Sequence, residues 1–241
     1  MRLDQKASEL FQKSRSSCHD LIKRGLITIN GQVNTKPATE VSDFDKIELV
    51  SQHSFVSRGG EKLSGLLSEI EIPLDGLKGL DVGASTGGFT DCLLQFGIKS
   101  MVCVDVGHNQ LHESLKNHPQ VRNFEGISIL DFKHVCDETF DIIVMDVSFT
   151  SILNVFDALD QFAHGKTWII LLYKPQFEVG AKFLNKSGIV KNSRQAIQIQ
   201  HHIVQTIISK GYRFHLSADS TLKGKEGNQE TFLVFQKKEG L

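Results

Sequence analysis

GLKGLDVGASTGGFTD, residues 76–91, decides the fold: an apolar strand runs into a turn with three glycines and out into a helix. Working outward, the strand-like runs SMVCVDV (100–106), FDIIVMDV (140–147), TWIILLYK (167–174), RFHLSADS (213–220) and ETFLVFQKK (230–238) follow. Between them lie the amphipathic stretches GFTDCLLQFG (88–97), NQLHESLKN (109–117) and IQIQHHIVQTIISKG (197–211). Apolar strands alternating with helices predict an α/β fold, a Rossmann-like sheet covered on both faces whose ligands sit outside the carboxyl ends of its strands.

The glycine-rich turn stands where a nucleotide fingerprint would, but Ser85 occupies the place of the second glycine of G-x-G-x-x-G, and no G-K-[ST] follows to make a phosphate loop. What remains is a loop for a sulfonium nucleoside lying beside bare backbone. Asp105, 24 residues after Asp81 and at the end of the next strand, can accept both ribose hydroxyls. This reads as an S-adenosylmethionine pocket made by Asp81, Gly83, Ser85, Thr86, Gly87, Gly88, Phe89 and Asp105. With that cofactor the fold expected is the Rossmann-like methyltransferase sheet.

Ionisable residues punctuate the apolar strands. Asp146 ends one strand and Lys174 another, and Lys62 lies in the helix that leads into the domain. If the last strand runs antiparallel, Glu230 at its start reaches the same edge. Charges at the ends of buried strands must pair or serve chemistry. Transfer to a ribose 2′-hydroxyl needs a group that takes or shares its proton, and a lysine beside a second cation can do so. Lys174 is the candidate base, Lys62 the second positive charge, and Asp146 and Glu230 the groups that orient both. No metal is required.

Residues 1–36 hold seven Lys/Arg against three acidic residues, a local balance of +4 in a chain whose net charge is −1. Leu3, Ala7, Leu10 and Phe11 recur at helical spacing, and Ser14 can cap a second helix that buries Cys18, Leu21 and Ile22 and stops at Gly25. Asn30-Gly31 between β-rich flanks predicts a hairpin. These elements resemble the small RNA-binding module (alpha-L motif) named after a small-subunit ribosomal protein and shared with pseudouridine synthases and tyrosyl-tRNA synthetases. The resemblance implies that Arg15, Lys23 and Arg24, with Arg2 and Lys13, offer charge to RNA phosphates, contacts that position without reading sequence. The division expected is 1–52 for this module, 53–76 for a linker and lead-in helix, and 77–241 for the catalytic domain.

Composition narrows the class further. No apolar run approaches the ~20 residues of a membrane span, and the N-terminus lacks a signal-peptide core, so a cytoplasmic protein is expected and membrane lysis is disfavoured. Cys18, Cys92, Cys103 and Cys136 are too scattered for a disulfide framework or a zinc cluster.

SRGGEKL (57–63), DVGASTGGFTD (81–91), VDVGHNQL (104–111), DVSF (146–149), KPQFEVG (174–180) and GKEGNQETF (224–232), in this order behind an RNA-binding module, resemble the TlyA/haemolysin A family, whose catalytic domain is similar to FtsJ-type ribosomal RNA methyltransferases. The resemblance implies an S-adenosylmethionine-dependent 2′-O-methyltransferase acting on cytidine in ribosomal RNA and ribosomal subunits, with a Lys-Asp-Lys-Glu tetrad at Lys62, Asp146, Lys174 and Glu230. One stretch departs: FEGISIL (124–130) stands where the family shows a Glu-Arg-Thr-Asn-x-Arg-like run, which puts an adenine-side or RNA contact in question. Ser128 is the candidate substitute for the asparagine. A non-catalytic RNA-binding assembly factor is the alternative reading.

Overall fold

The computed structural model describes residues 1–23, 25–50 and 55–240, which form two compact units, one ending at Ser54 and the other beginning at Phe55. Arg24 lies outside the described residues.

In the first unit, α1 (Leu3–Phe11) and α2 (Arg15–Lys23) pack on a three-stranded antiparallel sheet of β1 (Ile27–Ile29), β2 (Gln32–Val33) and β3 (Ile47–Leu49), in the order β2-β1-β3. Ser14 Oγ accepts from Ser17 N at 3.2 Å, which caps α2, and Gly25 takes φ +73° just past its end. Asn30 and Gly31 both have positive φ, 51° and 80°, as the two central residues of a type I′ hairpin turn require. Leu3, Ala7, Cys18, Leu21, Ile22, Ile27, Val41 and Ile47 form the core. Leu10 does not share it: the residue is exposed, because the sheet meets α1 along the stripe carried by Leu3 and Ala7.

The second unit is built on β4 (Lys78–Val82), β5 (Ser100–Asp105), β6 (Val121–Glu125), β7 (Phe140–Met145), β8 (Ala163–Tyr173), β9 (Tyr212–Asp219) and β10 (Thr231–Lys237), ordered β6-β5-β4-β7-β8-β10-β9. The pairs from β6 across to β8 are parallel, while β10 runs antiparallel to both β8 and β9. Side chains alternate across the sheet. Ile142 and Val144 face the layer of α3 (Arg58–Leu67) and α4 (Gly88–Gln95), and Ile143 and Met145 face α6 (Ile129–Phe132), α7 (Ile152–Asp160) and α9 (Ser193–Ser209). Burial of both faces is why β7 and β8 read as unbroken apolar runs.

Two elements differ from the sequence pattern. Residues 109–117 hold only a four-residue helix, α5 (Glu113–Lys116), because Glu125 fixes the backbone of 109–111 as a turn. β6 is a seventh strand that carries no buried residue, so its sequence VRNFE lacks the apolar signature of its neighbours.

The chain builds β4, β5 and β6 outward in one direction and then returns to lay β7 on the other side of β4. This reversal leaves a crevice at the carboxyl ends of β4 and β7, the place where open α/β sheets bind their ligands. Asp81–Gly83 and Asp146 stand at its two lips.

Candidate active site

Asp81, 1% exposed, accepts from Thr90 N at 3.0 Å and Thr90 Oγ1 at 2.7 Å, both on Oδ2, while its Oδ1 is buried without a partner. Burial pushes its carboxyl up to about 7. Next along the turn, Ser85 holds φ 49°, and its N donates to Asp105 Oδ2 at 2.7 Å; Gly107 N donates to Oδ1 of the same carboxylate, also at 2.7 Å. Each Asp105 oxygen keeps a lone pair for a ligand hydroxyl.

Three cavities adjoin here. One of about 530 Å³ runs past Gly83, Ser85 and Asp105 to an apolar wall of Ile127, Ile129 and Leu130. A second, about 190 Å³, is lined by Asp81, Gly83, Ser85, Thr86, Gly88 and Phe89. The third, about 360 Å³, holds Lys62, Asp146, Lys174 and Glu230 together. Asp146 and Ser148 line all three, so the two lobes flanking the glycine turn open onto the charged pocket.

The four charges come from four elements. Asp146 follows β7; Lys174 follows β8. Thr231 pairs with Tyr173, which sets Glu230 level with Lys174 across the antiparallel β8–β10 ladder. Lys62 lies in α3. Lys62 Nζ donates to Glu230 Oε2 at 2.5 Å, in a pair whose members are 8% and 3% exposed. Lys174 Nζ lies 2.5 Å from Asp146 Oδ1 and donates to Ser148 Oγ at 3.0 Å. The Asp146 contact is ionic, and Oδ1 there accepts no directed hydrogen bond. Phe149, 90% exposed, and Phe177, with ring centroids 5.0 Å apart, form an aromatic rim. A Cβ on Gly224 would come within 2.6 Å of Glu230 Oε1, so only glycine lets that loop close over the carboxylate.

An FtsJ-like methyltransferase family model matches residues 55–238, and an S4 domain model matches residues 1–47. The chain belongs to the FtsJ-like methyltransferase family. Curated relatives of this methyltransferase include Hemolysin A of Brachyspira hyodysenteriae, 37% identical over 98% of this chain and 99% of the relative. Another is the 23S rRNA (cytidine-2'-O)-methyltransferase TlyA of Campylobacter jejuni, 32% identical over 98% and 100%. A solved structure from Streptococcus thermophilus bearing a hemolysin label covers all of this chain and 89% of its own at TM-score 0.74 and 30% identity. The N-methyltransferase NodS of Bradyrhizobium japonicum with S-adenosyl-l-homocysteine shares the fold at TM-score 0.51 and 15% identity, over 76% of this chain and 86% of its own.

Within the methyltransferase the glycines have separate tasks. Gly83 has φ +79°, and its Cβ would meet Asp146 O at 2.8 Å. Gly87 lines neither lobe; a Cβ there would strike Leu115 and Leu111. Gly88 lines the 190 Å³ lobe, but its Cβ would run into Ser57 Oγ and Gly60 N, so a side chain would displace α3. The departing segment 124–130 also has structural work. Glu125 accepts from the backbone N of Asn109, Gln110 and Leu111, bonds that hold its carboxyl down at about 2. Ser128 Oγ caps α6 through Leu130 N at 3.2 Å, and the residue lines the 530 Å³ lobe.

In the S4 unit Arg2 and Arg15 both bond the buried Asp4: Arg2 Nε and Nη2 at 3.0 Å each, Arg15 Nε at 3.1 Å. They hold the Asp4 carboxyl near 2 while their own side chains stay about half exposed. Lys13 is half-buried; Lys23 is exposed on the last turn of α2. Sequence reasoning passed over Lys182, Lys186, Lys191 and Arg194, all exposed and, among the described residues, without a carboxylate partner. The signal was present, since no acidic residue occurs from 181 to 194. Buried Asn228 ties this basic segment to the Glu230 loop, accepting from Val190 N at 3.0 Å and donating to Gly188 O at 2.9 Å.

Asp81 makes a pH prediction. Its folded carboxyl titrates about 7, above an ordinary 3.8, so between those values the native state holds a proton the unfolded chain releases. From this group alone, stability falls as pH rises from about 4 to about 7 and is level above. A cationic ligand group at Oδ1 favours the ionised form. Donor affinity is therefore expected to rise as pH increases through about 7, and Asp81→Asn should remove that rise in calorimetric titrations; an Asn variant with an unchanged profile would exclude Asp81 from the donor site.

Proposed function

We propose that this methyltransferase transfers a methyl group to the 2′-hydroxyl of a cytidine in ribosomal RNA within cytoplasmic ribosomal subunits. The observation that carries the reading is the convergence of Lys62, Asp146, Lys174 and Glu230 in one pocket adjoining the two lobes of the glycine turn. The names of the relatives supply the nucleotide, and the S4 domain supplies a means of docking on RNA.

The residues present fit S-adenosylmethionine. Asp81 Oδ1, buried and without a partner, suits an ammonium group, Asp105 suits the ribose hydroxyls, and Ile127, Ile129 and Leu130 suit an adenine face. When bound, the cofactor supplies an electrophilic methyl group. Lys174 accepts the 2′-hydroxyl proton; Lys62 adds the positive charge that steadies the forming alkoxide; Asp146 and Glu230 fix the two nitrogens. Arg2, Lys13, Arg15 and Lys23 on the S4 unit, and Lys182, Lys186, Lys191 and Arg194 on the catalytic unit, offer charge to phosphates.

Incubating separated ribosomal subunits with tritiated donor, then digesting the RNA to nucleosides, is expected to yield labelled 2′-O-methylcytidine. A protein that binds the donor yet labels neither subunit would instead be a non-catalytic RNA-binding factor.

A further inference from the structure

The charged pocket holds more than catalysis requires. Besides Asp146 Oδ1, which meets Lys174 as an ion, two polar atoms of its lining residues are buried with no partner: Gln176 Oε1, an acceptor, and Arg58 Nε, a donor. A buried polar group without a partner costs free energy, and native structures keep few of them. Neither atom serves the tetrad, whose lysines and carboxylates are already matched to one another. Arg58 also lines the pocket, and its Nη2 donates to Lys223 O at 2.6 Å, which holds the side chain in place. Gln176 is placed by the short helix α8 (Pro175–Glu178), two residues after Lys174.

We propose that Gln176 and Arg58 read the Watson–Crick edge of the target base and make this methyltransferase select cytidine over uridine. The inference rests on the 2′-O-methylation reading above and adds the residues that choose the base. A pocket of about 360 Å³ is of the size that takes a nucleoside, and single-stranded RNA bases are read by hydrogen bonds to this edge. Cytosine presents an amino donor at N4 and acceptors at N3 and O2. It therefore gives a hydrogen to Gln176 Oε1 and takes one from Arg58 Nε–H. Uracil reverses both of the distinguishing positions, with an acceptor at O4 and a donor at N3. A glutamine amide could turn over and offer its NH₂ to O4, so glutamine alone tolerates either base. Arginine has donors only, and against it the uracil N3–H finds no acceptor. The pair, not either residue singly, sets the choice. A site built on such hydrogen bonds rejects the mismatched analogue because its own buried groups are then left unpaired.

The test compares single-turnover methylation of two RNAs by the full chain, one with the methylated cytidine and one with uridine at that position. Wild type should prefer cytidine by on the order of 10²-fold, the discrimination expected for a good two-bond contact. Gln176→Leu and Arg58→Met should each lower the C/U ratio at least ~10-fold, with donor affinity unchanged by calorimetry. Gln176→Glu, which only accepts, should keep the cytidine preference; a merely structural glutamine would not make Leu and Glu differ in the C/U ratio. A C/U ratio that all three variants leave at the wild-type value, or a wild type that methylates both RNAs equally, would overturn the assignment. A wild type that methylates neither RNA would overturn the proposed function and this inference with it, so the two failures are distinct.

Discussion

Lys174→Ala is expected to slow methyl transfer to saturating RNA ~10²- to 10⁴-fold in single-turnover measurements, the usual contribution of a positioned general base, with donor affinity little changed. The residue follows β8, touches Asp146 and Ser148, and lines only the edge of the 190 Å³ lobe, so its truncation removes a proton acceptor and leaves the backbone of the glycine turn in place. Arginine at this position keeps the charge but cannot accept a proton at any working pH. Lys174→Arg should therefore be as slow as alanine. Turnover near wild type in the arginine variant would show that position 174 acts through charge alone and that the proton leaves by another route.

Glu230→Ala should have the largest effect on stability. It would strand the Lys62 ammonium, itself 8% exposed, without the carboxylate it pairs with among the described residues. Breaking a buried pair on one side costs about 3–5 kcal/mol, whereas replacing both members with apolar groups of similar size is often neutral. For a chain of this length such a loss corresponds to a fall in Tm on the order of 10 °C. Lys62→Met with Glu230→Leu should recover most of that fall in thermal unfolding while remaining inactive. If the single variant melts like wild type, the pair carries no structural weight; if the double variant is as unstable as the single one, the cost lies in the loop around Gly224 and not in the stranded charge.

The fold was legible because the strands that position the site are buried on both faces and so are spelled as long apolar runs, with Asp146 and Lys174 marking where those runs meet the crevice. The antiparallel last strand was legible as a condition: only that direction carries Glu230 to Lys174, and the ladder from Thr231–Tyr173 to Gln236–Trp168 has it. β6 was not legible, since none of its residues is buried and periodicity needs a buried face. The tasks of Gly87 and Gly88 were hidden for another reason. Their neighbours, Leu111 and Leu115 for one and Ser57 and Gly60 for the other, lie more than twenty residues away along the chain, and no local pattern records such an approach. Arg58 and Gln176 were hidden in the same way. Each sits inside a motif that the sequence displays, but what marks them is a missing partner, which only the folded arrangement reveals.

The position of β10 bears on how the molecule is made. This strand lies between β8 and β9, so the sheet has a vacant lane until residues 231–237 fill it. During synthesis the N-terminal portions fold first. Lys62, Asp146 and Lys174 can assemble early, but Glu230 comes in with the closing strand, the step that pairs the most distant parts of the catalytic unit. Until that strand docks beside β8, the pocket lacks one of its four charges.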